Sequence, residues 1–559
     1  MKTSGFKKIL MPAALVFLVS VFSLGMWEAT DSDLMFKIYR SVDVFSKVYK
    51  EIAINYVDEV DPDRFMRAGI DGMLKTLDPY TVFVGDKEGD ELDLVTTGKY
   101  AGVGITIAVR DGMVTVINLV EGYSAAKQGI EIGDHILEVD GKSMVGAKPE
   151  DVRALVRGAP GTEVRMKIDR EGETALLEYV LLREEIPVKN VTYAGYIEPG
   201  IGYIRLERFS RTAGDDVRSA VKDLMSQGSL KGVILDLRNN PGGLLDIAVN
   251  ITSKFVPEKS LIVTTKGRRS EADRKYYSAE TPMASDLPLA VLVDRGSASA
   301  SEIVAGAIQD LDRGIIVGER TFGKGLVQTI SRLTENSSVK VTTARYYTPS
   351  GRCIQEVDYS HRSKDGVFAT IPDSLRREFK TASNRKVFDG GGIQPDSVVV
   401  EEEYGRIVDE LLRKAMFFKF ANTYAAQHAS LPENFDITPS LLKEFEEFLK
   451  EKKFAYQEDA ELKLKELRGI AEKARYNKAF LAELAQLNGL VELEKSRTIE
   501  RYEKEMRSFL KTEIVGRLKG ERARIESTFG DDKQLNVAVS LLKNKKLYDK
   551  LLSGQPSKK

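Results

Sequence analysis

Ser297, Ser299 and Ser301 alternate with alanine ahead of Glu302, and Lys324 follows Ser299 by 25 positions within Thr321-Phe322-Gly323-Lys324-Gly325. A serine hydroxyl is a weak nucleophile at neutral pH and needs a base within hydrogen-bond reach. Lysine can be that base where a desolvated pocket lowers its pKa. Histidine, the commoner partner, is nearly excluded, because the only three, His135, His361 and His428, lie far from this segment in sequence. The residue types therefore point to hydrolysis by a serine and a lysine. They do not choose among the three serines, which share one strand-to-helix turn.

Ser299 with Glu302 three residues on also reads as a capping box for the next helix. That role is compatible with catalysis, since a helix N-terminus offers free N–H groups and a positive dipole end where an oxyanion would form. Lys324 stands between two glycines, a poor place for a lysine that serves only solubility. Gln328, four residues later, falls on the same side in a helix or a strand and can accept an N–H bond from Lys324. For Asn239, Asn240, Pro241 and Gly242 the plain reading is a turn between strand and helix.

These groups need a scaffold, and residues 190–400 alternate strand and helix signals as an α/β core should. Val233–Leu237, Leu289–Asp294 and Gly314–Gly318 read as buried strands, with helices at Leu245–Phe255 and Ser301–Leu311. Upstream, residues 36–95 read as helical. Ile38, Val42, Phe45, Tyr49 and Ile52 form one expected buried stripe, and Met66, Ile70, Met73 and Leu77 a second after an Asp61-Pro62 start. Between Gly98 and Glu185 short β-branched runs with glycine punctuation predict strands at Gly102–Ile107, Met113–Leu119, Asp134–Asp140 and Glu163–Asp169, with helices at Ser124–Gln128 and Pro149–Val156. After about 403 the chain reads as long amphipathic helices, Tyr404–Ala425, Pro439–Lys452, Glu458–Leu487 and Thr498–Glu526. Their expected role is a structural or oligomerising appendage, with a surface for an adaptor or a second copy.

At roughly 150 residues per domain, 559 residues imply three or four domains. A net charge of -1 argues against a nucleic-acid partner, which would need a basic excess. No metal-ligand spacing or phosphate-binding loop is visible, so no cofactor is expected. The single cysteine, Cys353, excludes an intrachain disulfide. Lys2, Lys7 and Lys8 precede an uncharged stretch, Ile9 to Trp27, about long enough to span a bilayer. With no Ala-x-Ala site after it, residues 1–30 read as an uncleaved anchor in preference to a cleaved signal peptide. Everything after Asp31 is then expected outside the cytoplasm, in the periplasm, held to the inner membrane.

Two resemblances sharpen this reading. Tyr100-Ala101-Gly102-Val103-Gly104-Ile105, Ala125-Ala126-Lys127-Gln128-Gly129-Ile130 and Gly133 to Gly141 resemble a PDZ domain, placed at 98–185. A glycine-containing turn such as Gly102, Val103, Gly104 and Ile105 can offer backbone N–H groups to a terminal carboxylate, beside a sheet edge that takes the peptide as a strand. With Leu77-Asp78-Pro79, Asp236 to Gly243, the serine run, the Lys324 segment and Tyr347 to Arg352, residues 36–400 resemble the carboxyl-terminal processing proteases of the serine/lysine type. The resemblance implies a multidomain α/β protein: an N-terminal helical segment, a PDZ domain, a crotonase/ClpP-like protease core at 190–400 and an all-helical C-terminal extension at 403–559. It further implies Ser299 as nucleophile, Lys324 as general base, Gln328 as its orienting partner, Gly243 and Ala300 as oxyanion donors, and Arg157 as a gating residue facing the core. Substrates would be proteins with exposed apolar C-terminal tails. One departure stands out: between Gln355 and Asp389 an extra polar stretch reads as a surface loop. The other reading, a silenced peptide-binding scaffold, would have lost the serine or the lysine, and this chain keeps both.

Overall fold

The computed structural model describes residues 33–85, 94, 97–335, 337–362, 368–401 and 403–554. The expected anchor lies outside them, and no described helix is long and apolar enough to cross a membrane. The chain divides into two units, 1–83 and 84–559.

The first unit has a helix over 33–55 and another at Pro62–Leu74. Asp61 caps the second by accepting from the Asp63 and Arg64 N–H groups, and Pro62 fills its first turn, as the sequence suggested. Asp78 Oδ1 then turns the chain by accepting from Tyr80 and Thr81. The two apolar stripes are not buried as expected. Ile38, Val42, Phe45, Met66, Met73 and Leu77 are exposed, while Tyr49 joins the helices by stacking on Phe65 and donating to Pro62 O at 2.6 Å.

In the second unit the PDZ segment forms an antiparallel sheet in the order Ile105–Arg110, Met113–Leu119, His135–Val139, Glu163–Asp169, Leu177–Leu182. Helices Ser124–Gln128 and Pro149–Val156 complete it. Period-two burial along Glu163–Asp169 puts Val164, Met166 and Ile168 into its core with Val114, Val116 and Ile136. Ile105–Arg110 is an edge strand, paired only with Met113–Leu119.

The 190–400 core is a six-stranded sheet in the order Val191–Glu198, Ile201–Leu206, Gly232–Asp236, Leu289–Val293, Ile315–Gly318, Ser397–Val398, parallel except for its first pair. A parallel sheet must be covered on both faces. Leu235, Val291, Val293 and Ile316 face the helices Ala213–Gln227, Leu245–Ser253 and Ala300–Asp310. Ile234, Ala290, Leu292 and Val317 face the opposite way, against Ile525, Leu535, Ala538, Val539 and Leu542. The end of the helical extension is therefore a layer of the 190–400 core rather than an appendage to it.

The extension departs from the sequence reading elsewhere too. The expected Tyr404–Ala425 helix is two, Arg406–Arg413 and Met416–Gln427, broken at Ala415 (φ 52°). Glu458–Leu487 is a hairpin, Asp459–Lys473 and Lys478–Ser496. The helix Glu503–Thr528 kinks at Gly520 (φ 83°), and Lys533–Lys543 and Lys545–Leu552 were not anticipated. The 355–389 stretch is not simply a surface loop. It pairs Val357–Arg362 with Phe368–Thr370 and Glu378–Lys380 with Lys386–Phe388, and Arg385 at its end is buried in ion pairs with Asp312 and Asp396.

Candidate active site

Three neighbouring parallel strands deliver the chemistry-bearing residues from their carboxyl ends, where open α/β sheets place ligands. Gly232–Asp236 runs into the turn carrying Gly242 and Gly243, Leu289–Val293 into the turn carrying Ser299, and Ile315–Gly318 into the loop carrying Lys324. Sheet order thus gathers residues that the sequence spreads over more than eighty positions.

The three serines are not equivalent. Ser297 is fully buried and its Oγ donates to Leu237 O at 2.8 Å. Ser301 is equally buried and its Oγ donates to Asn240 O at 2.9 Å. Ser299 is half-buried and has φ 54°, ψ -111°, a conformation that residues with a Cβ seldom adopt. Strain of this kind persists only where the surroundings over-determine it. Here they do: Ala298 N–H donates to Asn240 O, Phe322 N–H to Ser297 O, and Tyr346 Oη to Ser299 O at 3.2 Å.

Glu302 holds the two segments together. Its carboxylate is completely buried and accepts four hydrogen bonds: from Ser299 N–H (2.8 Å), Thr321 Oγ1 (2.6 Å), Gly323 N–H (2.7 Å) and Lys324 N–H (2.9 Å). The Ser299 and Lys324 amides share one oxygen, Oε2. Burial pushes the Glu302 carboxyl up to about 7 although all four donors favour the anion. The sequence marked Glu302 only as the far half of a capping box. Its contacts with 321–324 are long-range and left no local signal. Gly325 N–H is fixed in turn by Gln355 Oε1 at 2.7 Å.

The glycine turn sits directly against the serine. A Cβ on Gly242 would lie 2.6 Å from Ala298 O and 2.8 Å from Ala300 N, and one on Gly243 would lie 2.4 Å from Phe209 O. Gly242 N–H is already committed to Asn240 Oδ1 at 2.9 Å. Ala300, directly after Ser299, opens the Ala300–Asp310 helix. Gln328 lies in strand Leu326–Arg332 and donates its amide to Thr342 Oγ1 at 3.3 Å. Lys324 precedes that strand, and a register shift falls between Val327 and Gln328.

His135 and His428 stand apart from this site. The first bonds Thr115 in the PDZ sheet and the second stacks on Tyr424 in the helical extension. Among the described residues no cluster of His, Cys, Asp and Glu could hold a metal ion.

In the PDZ segment Gly102 ends one strand and Ile105 opens the edge strand. The carbonyls of Val103 and Gly104 accept from Ala125 and Val120, and Gly104 has φ 87°, so the turn is pinned from its carbonyl side. The Arg157 guanidinium lies over the Tyr100 ring at 5.6 Å.

The profile of peptidase family S41 matches residues 200–361, the PDZ domain profile residues 91–169, and the profile "Probable PDZ-protease, C-terminal helical domain" residues 407–542. A carboxy-terminal-processing protease of Bartonella bacilliformis is 36% identical over 63% of this chain and 81% of its own length. The carboxy-terminal processing protease CtpA of Bacillus subtilis is 32% identical over 64% of this chain and 74% of its own. The fold and these matches define a serine-type peptidase that carries a PDZ domain. The chain belongs to the carboxy-terminal processing proteases.

Proposed function

We propose that this protease hydrolyses peptide bonds with a Ser299/Lys324 dyad. The observation that carries the assignment is the difference among the serines: the hydroxyls of Ser297 and Ser301 are buried and spent on backbone carbonyls, whereas Ser299 is strained and accessible. Neutral Lys324 takes the Oγ proton as Ser299 attacks the carbonyl carbon, and the Gly243 and Ala300 N–H groups stabilise the tetrahedral oxyanion. The proton passes to the leaving amine, and water then releases the acyl group by the same route. Gln328 orients the lysine.

The PDZ edge strand at Ile105–Arg110 receives an exposed C-terminal tail as an added strand, with its carboxylate at the Gly102–Ile105 turn. Arg157 responds to that occupancy. Exposed apolar tails of exported proteins are the substrates, and residues 1–30 hold the enzyme at the periplasmic face of the inner membrane. Ser299→Ala and Lys324→Ala should each abolish cleavage of a tail-bearing protein, with the double variant no worse, because members of one catalytic unit are not additive. A free-acid tail should be cleaved faster than its amidated twin, and equal rates would remove tail sensing from the account. Fractionation of cells into membrane and soluble pools tests the location, and a cytoplasmic soluble enzyme would refute it.

A further inference from the structure

The turn that presents Gly243 begins at Arg238, and Arg238 is gripped from two sides. Asp236, at the end of its own strand, accepts from Nε (3.0 Å) and Nη2 (2.6 Å). Asp532, 294 residues later, accepts from Nη1 (3.0 Å) and Nη2 (2.7 Å), and Gln534 Oε1 adds a contact to Nη1 at 3.3 Å. Paired, planar contacts of this kind fix a guanidinium in orientation as well as position. The group is well buried, with the Arg238 side chain 13% and the Asp532 side chain 14% exposed. Tyr203 Oη donates to Asp236 at 2.7 Å, and Phe529, three residues before Asp532, packs edge-on to Tyr203. From Arg238 the restraint passes directly into the catalytic turn. Asn239 has φ 57° and its N–H is held by Asp294, the residue that also accepts from Ser297 N–H. Asn240 binds Leu206 O and Gly242 N–H through its side chain, while its carbonyl takes Ser301 Oγ.

We propose that Asp532 is a positioning residue for peptide hydrolysis: through Arg238 it holds the turn that aims the Gly243 N–H at the oxyanion. The last helices of the chain are then working parts of the active site and not merely a cover for the sheet. The proposal rests on the oxyanion assignment above.

Asp532 is also the N-cap of helix Lys533–Lys543, accepting from Leu535 N–H at 2.9 Å. Asparagine and serine cap as well as aspartate but carry no charge. Asp532→Asn and Asp532→Ser therefore separate the cap from the clamp. Steady-state cleavage of a tail-bearing protein, the rate of labelling by a fluorophosphonate, and thermal unfolding are measured on the full chain. Both variants should keep KM within about twofold and lose about tenfold or more in kcat and in labelling rate, since misplacing a catalytic group by 1 Å can cost about 100-fold. Asp532→Glu should recover part of that loss. Lys543→Ala, which removes the Glu198 ion pair from the other end of the same helix, should leave the rate unchanged. An unchanged kcat in folded Asp532→Asn overturns the proposal, and so does failure of both capping variants to fold, which makes the clamp purely structural. If the wild-type enzyme is not labelled at Ser299, the site assignment fails first and separately.

Discussion

Two carboxylate-centred facts govern the residue scale. Glu302 accepts four hydrogen bonds and donates none, so its anion is the form that ties Ser299 to Lys324. With its carboxyl pushed up to about 7, activity should fall as pH drops through that value, and in Glu302→Gln this step should be lost along with most of the rate, leaving only the limb set by the need for a neutral Lys324. Glu302 meets Lys324 through the backbone N–H, and the Tyr346 phenol is held well above its usual range by burial and then by Glu302. Folding stability moves the other way. A carboxyl raised on folding contributes stability that is present below its unfolded pKa and lost as pH rises through about 7. A pH–rate profile of acylation beside thermal melts checks both signs, and a step unaltered in Glu302→Gln would exclude this role. Ser297→Ala and Ser301→Ala should cost about 1 kcal/mol of stability each and spare the labelling of Ser299. The proposed dyad could be read from the sequence because serine and lysine types carry their chemistry there. The roles of Ser297 and Ser301 could not, since which hydroxyl is spent on a carbonyl depends on the partner strand.

At the element scale, Met113–Leu119, Glu163–Asp169 and both short helices of the PDZ segment match the expected ends, whereas the expected Gly102–Ile107 strand is broken at Val103 and Gly104 and the Leu177–Leu182 strand was missed. The matching elements share a local core, so local pattern suffices for them. The long C-terminal helices were misjudged at their breaks, at Ala415 (φ 52°) and Gly520 (φ 83°), of which only the glycine leaves a trace in the sequence. The N-terminal stripes failed for the opposite reason: the period was present but the residues stay exposed. The glycine turn yields a sharp expectation. Gly243→Ala places a methyl 2.4 Å from Phe209 O, so the turn must shift and kcat should fall by about 100-fold, the scale of losing one oxyanion donor. Near-normal turnover in that variant would mean that Gly243 does not face the reacting carbonyl.

For the second unit as a whole, the helical extension touches both other parts. Its last helices complete the protease sheet, while Lys419, Lys452 and Arg517 pair with Asp111, Glu171 and Glu131 of the PDZ segment. In these three pairs the acids belong to the PDZ segment and the bases to the extension. Surface pairs are worth about 0–1 kcal/mol each and are screened by salt, so their share of this docking is small and falls with ionic strength. Raising ionic strength, or combining Lys419→Glu with Arg517→Glu, should increase hydrogen exchange in the PDZ segment near Asp111 and Glu131 without unfolding the protease sheet. Exchange that ignores both changes would show that the contact is held by other forces. None of this was legible beforehand, because charge pairs between segments three hundred residues apart leave no periodicity. The claim on which the rest depends is the Ser299/Lys324 dyad, and the most direct measurement is mass mapping of the fluorophosphonate adduct on the intact protein and on Lys324→Ala. A single adduct on Ser299, lost in Lys324→Ala while the protein stays folded, is the predicted result; an adduct on Ser297 or Ser301, or undiminished labelling without the lysine, would contradict it.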